Sequence, residues 1–511
     1  MKLFRVRGGV HPDYRKELSS EKATVPFPLP QRLYMPLQQH IGAPAEPVVQ
    51  VGERVLKGQM IARSTGAVSA PVHAPTSGIV VDIGNHTAPH PSGLPQRTIV
   101  IEPDGKDEWA PLPAPVADHL SLTPADIAKR VAEAGIVGLG GATFPSAVKL
   151  DLRSRCRLDI LLVNGAECEP YLTCDDRLMR EHADEVMDGV RIMAYALEVQ
   201  TVLIAIEDNK PQALAAMTKA AATLDGDIRV IGVPVRYPMG SERHLTLALT
   251  GRETPARKLT ADIGVVVHNV ATARAVSQAI RAGRPLISRL VTVSGSAVAE
   301  PKNIEVPLGT HVSELIAFCG GLTEEPRRII SGGPMMGQPL PSTAVPVIKG
   351  TSGILALTEA ETNERPAQPC IRCGTCVSVC PCGLVPVEMA AFIRKENLEG
   401  AQASGVLDCV SCGSCSYVCP SHIPLVHYFN YAKGRINALE RDKRKRDLVK
   451  RLVEARAERM EKIAKAKREA LAAKKAAAEA AKAAKAAAEA AAKAAEGEQP
   501  AAAASEDKAS A

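Results

Sequence analysis

Cys370-Ile-Arg-Cys373-Gly-Thr-Cys376-Val-Ser-Val-Cys380-Pro381 returns 39 residues later as Cys409-Val-Ser-Cys412-Gly-Ser-Cys415-Ser-Tyr-Val-Cys419-Pro420. The repeat is an internal duplication. Within each copy, three thiols at intervals of three residues wrap one face of a compact centre. Gly374 and Gly413 keep side chains clear of it, and the prolines end the turn and send Cys380 and Cys419 away. Such spacing belongs to metal or redox chemistry rather than to a disulfide framework. Zinc also binds thiolates two residues apart, but it needs four ligands in pairs and has no use for a duplicated triplet with a distant fourth.

The pattern matches the bacterial two-cluster ferredoxin run, in which the fourth cysteine of each copy serves the other cluster. The match implies one 4Fe-4S cluster on Cys370, Cys373, Cys376 and Cys419, and a second on Cys409, Cys412, Cys415 and Cys380. Cys382 has no position in the pattern and reads as a bystander. Cys168 and Cys174, with no further ligands evident, read as small buried hydrophobes.

Outward from the cysteines, 511 residues are too many for one core and make three or four compact units the expectation. Short apolar pairs separated by turns over 44–83 predict a small β-sandwich within an N-terminal region 1–115. It resembles the biotinyl/lipoyl carrier fold without a Met-Lys-Met-type turn, so an unmodified structural domain is expected. Over 116–284, apolar strands alternate with helical stretches, which predicts a largely parallel sheet with ligands beyond the carboxyl ends of its strands. A β-grasp domain is expected over 285–350 and the ferredoxin domain over 351–435, with one helix over 387–403 between the two runs. The Ala/Lys/Glu-rich tail, 436–511, reads as a solvated helix that frays after Gly497.

The formal net charge is +6, and the 19 basic and 13 acidic residues from Glu440 onward account for all of it. A neutral body with 3% aromatic residues gives no reason to expect nucleic-acid binding. No window approaches the roughly 18 apolar residues of a membrane span, and Met1 to Tyr14 is too charged for a signal peptide, so a cytoplasmic chain is expected.

Gly138-Leu-Gly-Gly-Ala-Thr-Phe-Pro, followed by Lys149, has glycines where a backbone must approach a phosphate. Alone it is a weak sign, because glycine-rich loops more often serve only as turns. It has company in three polar loops after apolar strands: Asn164-Gly-Ala-Glu-Cys-Glu-Pro-Tyr, Tyr237-Pro-Met-Gly-Ser-Glu-Arg and His268-Asn269-Val-Ala-Thr272. Singly, Asn164 and Asn269 read as helix caps, Glu169 as a first-turn acid and Phe144 as core. Jointly these loops resemble the FMN and NADH site of the flavin-bearing subunit of respiratory complex I and related diaphorases.

Adding Phe4-Arg-Val-Arg-Gly-Gly-Val-His-Pro, Gly332-Gly-Pro-Met-Met-Gly and both cysteine runs, the chain through Tyr431 resembles the RnfC family of the Rnf complex, also called RsxC. The resemblance implies a multidomain α/β protein. Its parts are a carrier-like β-sandwich, a complex I flavin-subunit-like α/β domain, an SLBB-like β-grasp domain, a helical two-cluster ferredoxin domain and the tail. It implies that Gly140, Gly141 and Lys149 surround the phosphate of a noncovalent FMN, with Gly138 also among the cofactor-binding residues. Asn164, Glu242, Asn269 and Thr272 are implied to bond the flavin and its ribityl chain. Glu167 and Glu169 are implied to line the pocket, Phe144 to stack on the nicotinamide, and Tyr237 and Gly240 to be among the cofactor-binding residues. Leu139 and Ala166 stand where complex I has an arginine and an acid.

The activity implied is NADH oxidation feeding a membrane-bound, ion-translocating NADH:ferredoxin complex, by a relay from NADH through FMN and two clusters to partner subunits and, through the complex, ferredoxin. The chain itself would be peripheral, on the cytoplasmic face of the bacterial inner membrane. Two other readings stand beside this one: a soluble diaphorase subunit of a hydrogenase or formate dehydrogenase, and a cluster-bearing adaptor with a vestigial nucleotide pocket.

Overall fold

Runs such as Leu161-Leu-Val and Val202-Leu-Ile-Ala-Ile, apolar without alternation, suit strands covered on both faces. They lie in a parallel sheet of Ile160–Gly165, Thr201–Glu207, Asp227–Val233 and Val265–Asn269 in the computed structural model, which describes residues 3–362 and 364–496. One face buries Leu161, Val163, Val202, Ile204 and Val266 against helices Ala183–Leu197 and Val270–Ala282. The other buries Leu162, Leu203, Ala205, Val265 and Val267 against helix Glu242–Thr250. Each such leucine, isoleucine or valine contributes roughly 1.5–3 kcal/mol relative to exposure.

The chain enters this sheet in the middle. It lays down Ile160–Gly165, steps outward to Thr201–Glu207 and Asp227–Val233, and then returns to place Val265–Asn269 on the other side of the first strand. The winding therefore reverses between Ile160–Gly165 and Val265–Asn269. A crevice opens beyond the carboxyl ends of strands at such a reversal. Asn164 and Asn269 are register partners there.

The N-terminal region forms an antiparallel sheet, ordered Leu33–Pro36, Pro95–Pro103, Gly78–Thr87 and Arg54–Val55, and a second sheet of Glu46–Pro47, Met60–Arg63 and Val72–His73. Its core residues Leu33, Met35, Ile61, Val80 and Ile99 belong to the same apolar cluster as Val291, Val293, Ile304 and Ile354 of the next sheet. That sheet is ordered Val25–Pro26, Lys302–Pro307, Ser288–Ser294, Gly353–Leu357, Arg328–Ser331 and Gln338–Pro339.

Two local expectations differ from the structure. Gly353–Leu357 lies beyond the expected boundary at residue 350, yet it pairs with Ser288–Ser294 and with Arg328–Ser331 inside the six-stranded sheet. Its five residues are all buried, and a strand that apolar is held by the core rather than by its distance from the cysteines. The single helix expected over 387–403 is two, Pro386–Arg394 and Leu398–Ala403. The break has a local cause: Glu396 takes a φ of 55°, and the Asn397 side chain accepts the Gly400 amide to cap the second helix.

The described residues up to Lys433 form one unit. From Gly434 a second unit continues a single helix, Leu425–Glu496, and its described side chains from Arg441 to Ala495 are exposed. The fraying expected after Gly497 falls outside the described residues. Among the described residues, no helix is long and apolar enough to cross a membrane.

Candidate redox site

The glycine loop is pinned from behind and open in front. Gly138 donates its amide to the Phe144 carbonyl at 2.8 Å, closing the loop on itself, and half-buried Phe144 stands at its end. The Leu139 amide donates to the Thr272 hydroxyl at 2.9 Å, and the guanidinium of buried Arg289 donates to the Leu139 carbonyl at 3.1 Å. Gly140 and Gly141 are exposed, and their amides meet no intramolecular acceptor among the described residues. Gly141 needs to be glycine for conformational reasons, with a φ of +133° and nothing within 4 Å of where a Cβ would stand.

Beneath the loop, helix Val270–Ala282 begins with Asn269, whose side-chain oxygen accepts the Ala271 amide at 2.8 Å. Free amides, the positive end of a helix and the Lys149 ammonium are the donor set a phosphate takes. Lys149 donates to Glu242 at 3.3 Å and to the Val267 carbonyl at 3.0 Å. Thr272 is fully buried, so its part is to hold the loop rather than to face a ligand.

The other polar residues of the crevice form one network. Asn164 donates to the Gly240 carbonyl at 2.8 Å and accepts the Ala166 amide at 3.1 Å. Asn269 donates to Asp175 at 2.7 Å. Asp175, which no sequence signal singled out, is held above the usual carboxylate range by burial and then by the neighbouring Glu167. Glu167 itself accepts the amides of Asp175 and Asp176 at 2.7 and 3.3 Å, at the start of helix Cys174–Glu181.

The loop from Ala166 to Leu172 carries positive φ at Glu167 and Tyr171 and is held by two lysines. Lys16 donates to the carbonyls of Glu167, Glu169 and Leu172 at 2.9, 3.0 and 2.6 Å. Lys210 donates to that of Ala166 at 2.8 Å. Neither lysine lies in a recognisable motif, and each comes from a remote stretch of chain.

Glu169 and Tyr237 sit at the seam with the cysteine segment. Glu169 accepts the amides of Met335 and Met336, each at 3.0 Å. Tyr237 is fully buried and donates its hydroxyl to the Cys412 carbonyl at 2.6 Å. The same seam joins the Gly9 amide to the Val379 carbonyl at 2.8 Å, His244 to the Pro381 carbonyl at 3.3 Å, and the Arg257 amide to Asp408 at 3.0 Å.

Cys380, Cys409, Cys412 and Cys415 line one cavity with Leu384, Met389 and Phe429. Burial, and after it the neighbouring Cys412, Cys409 and Cys380 sulfurs, pushes the Cys415 thiol up to about 12. Thiolates form there only against metal charge. Cys376 has Cys373 and Cys419 nearby. Cys382 also lines the cavity.

These thiols suit a cluster better than a single ion. Zinc–sulfur bonds of about 2.3 Å would bring the sulfurs of one site to about 4 Å from one another. Among the described residues, the one set of three or more such ligand atoms within 4.8 Å of each other is Glu167, Cys174 and Asp175, and none of the eight repeat cysteines belongs to it.

Comparison with known proteins adds a family to this geometry. Residues 4–106 match the RnfC barrel sandwich hybrid domain and 131–278 the Nuo51 FMN-binding domain. Residues 290–339 match the SLBB domain and 366–423 the 4Fe-4S dicluster domain. The chain thus has the domains for FMN and for two 4Fe-4S clusters. A subunit of the ion-translocating oxidoreductase complex of Rhodobacter capsulatus is 57% identical over 87% of this chain and 85% of its own length. A subunit of the proton-translocating ferredoxin:NAD(+) oxidoreductase complex of Clostridium ljungdahlii is 47% identical over 87% of this chain and 96% of its own. A subunit of the ion-translocating oxidoreductase complex of Yersinia pestis is 45% identical over 92% and 76%. With identities of 45–57% over at least 87% of its length, the chain belongs to the RnfC family of ion-translocating oxidoreductase complexes.

Proposed function

We propose that this chain is the peripheral electron-input subunit of an Rnf-type complex, exchanging electrons between NADH and partner subunits at the cytoplasmic face of the bacterial inner membrane, with ferredoxin reached through the complex. Bound FMN would take an electron pair as hydride and give electrons up singly, which is how 4Fe-4S clusters accept them.

Gly140, Gly141 and Lys149 would hold the FMN phosphate, with Gly138 closing the loop that carries them. Asn164 and Asn269, linked through the Asn269 side-chain amide on the Asn164 carbonyl at 3.4 Å, would orient the ring and ribityl chain together with Glu242, which pairs with Lys149, and Thr272 and Arg289 would hold the glycine loop in place. Phe144, at the loop's end, would stack on the nicotinamide. Cys380, Cys409, Cys412 and Cys415 would ligate the cluster next to the flavin-type sheet, and Cys370, Cys373, Cys376 and Cys419 the one farther out.

The observation that carries this reading is the buried Tyr237 hydroxyl on the Cys412 carbonyl, which ties a loop of the sheet to a ligand turn of the inner set. Cys370 and Cys373, by contrast, are exposed, where another protein of the complex can approach.

The test is cofactor content of the full chain purified without oxygen, expected at about eight iron and one noncovalent FMN, with NADH bleaching both chromophores. Four iron, a zinc signal, or a flavin that NADH leaves oxidised would overturn it. Copurification with integral membrane proteins separates this role from that of a soluble diaphorase.

A further inference from the structure

The duplication has one chemical asymmetry at its exit. After Cys380-Pro381 the first copy carries Cys382, and after Cys419-Pro420 the second carries Ser421. Ser421 is buried and turned away, its hydroxyl donating to the Pro369 carbonyl at 3.0 Å. Cys382 instead lines the cavity of Cys380, Cys409, Cys412 and Cys415, whose other lining residues are apolar and carry no thiol. One cavity thus holds five thiols where a cubane takes four, and two of them leave the same turn two residues apart.

We infer that Cys382 is a reserve ligand for the inner cluster, able to take the place of Cys380 on iron. This rests on the ligand set proposed above. The exchange is a ligand substitution: one iron–sulfur bond breaks, one forms, and a proton passes from the incoming thiol to the departing thiolate with no change in oxidation state. It gives the buried cluster a way to survive damage to one ligand, which the outer cluster lacks because Ser421 offers no thiol.

Iron content and low-temperature paramagnetic resonance of the reduced, anaerobically reconstituted full chain test the inference. Cys380→Ala should keep about eight iron, with an altered signal for one cluster, whereas Cys380→Ala/Cys382→Ala and Cys419→Ala should each fall to about four. Cys382→Ala alone should keep about eight. Cys380→Ala falling to the level of Cys419→Ala would overturn the reserve role. Cys409→Ala checks the underlying ligand set: if it kept its full iron, that reading would fail rather than this one. Should Cys380→Ala lose its FMN, and so its fold, Cys380→Ser is compared with Cys380→Ser/Cys382→Ala: a loss of iron only in the double variant supports the reserve role, and equal iron in both, the serine oxygen then serving as the ligand, overturns it.

Discussion

Arg372 and Ser411, 39 residues apart, both take a φ of 56°, and each points its amide at a sulfur two residues back. Arg372 reaches Cys370 at 3.4 Å and Ser411 reaches Cys409 at 3.3 Å. The short helices Thr375–Ser378 and Ser414–Tyr417 follow in the same register, as do the helices that begin at Pro386 and Leu425. The settings are not alike. Cys370 and Cys373 are exposed, while Cys412 and Cys415 are buried. Cys412 shares an apolar cluster with Val10, Cys168 and Tyr237, residues from outside the cysteine segment. The wrap around a cluster is therefore written locally, and the surroundings decide which copy faces the sheet and which faces outward. Burial and hydrogen bonding to sulfur set cluster potentials, so equal ligands here give unequal redox partners.

Removing one ligand from each copy should break the comparison most forcefully. Cys373→Ala and Cys412→Ala are each expected to lower iron from about eight to about four per chain. In Cys373→Ala, NADH should still reduce the remaining inner cluster. In Cys412→Ala, reduction of the remaining outer cluster should slow by at least about 100-fold, a barrier increase of about 3 kcal/mol. Freeze-quenched paramagnetic resonance after NADH addition reads both. Equal rates would mean that burial at the seam does not order the clusters.

The two glycines sharpen the same contrast. Gly374 and Gly413 have φ values of +76° and +81°, so alanine strains both alike, by about 1 kcal/mol. At Gly374 a Cβ would meet nothing within 4 Å, whereas at Gly413 it would stand 2.9 Å from the Met335 carbonyl oxygen, which is backbone and yields only if a loop moves. Gly413→Ala should therefore destabilise the holoprotein by about 1–3 kcal/mol more than Gly374→Ala. Denaturant midpoints measured side by side, with iron content as a control, would expose an equal cost.

What could be read beforehand follows from how local each signal is. The cysteine runs, the strands at 160–165 and 201–207, and the polar loops after them announce themselves within a few residues. The seam does not. Tyr237 read as part of a cofactor loop because it precedes Pro-Met-Gly, and only the fold brings its hydroxyl to Cys412. Arg289 lies on a strand of the six-stranded sheet and supports the glycine loop from 150 residues away. Lys16 holds the Glu167–Leu172 backbone across some 150 residues as well. Contacts of this kind leave no periodicity or spacing to detect. Gly353–Leu357 was missed as a member of the six-stranded sheet for the same reason, because an apolar pentapeptide does not name its partners.

The finest difference lies at the hydroxyls that follow the second cysteine of each copy. Thr375 places its hydroxyl 3.3 Å from the Cys373 sulfur, and Ser414 places its own 3.4 Å from that of Cys412. When these sulfurs are thiolates on iron, such a hydroxyl donates to them and favours the more negative, reduced cluster, so its removal should lower the potential. At Cys412 the bond lies in a buried setting where water cannot replace it. One net hydrogen bond of about 0.5–1.5 kcal/mol corresponds to roughly 20–60 mV for a one-electron couple. Ser414→Ala should therefore move the inner cluster down by that amount. Thr375→Ala should move the outer one less, because water can solvate the exposed Cys373 sulfur once the hydroxyl is gone. A redox titration followed by paramagnetic resonance separates the two signals. Matched shifts would show that sulfur in the two copies meets the same dielectric, and the contrast between them would then be one of position alone.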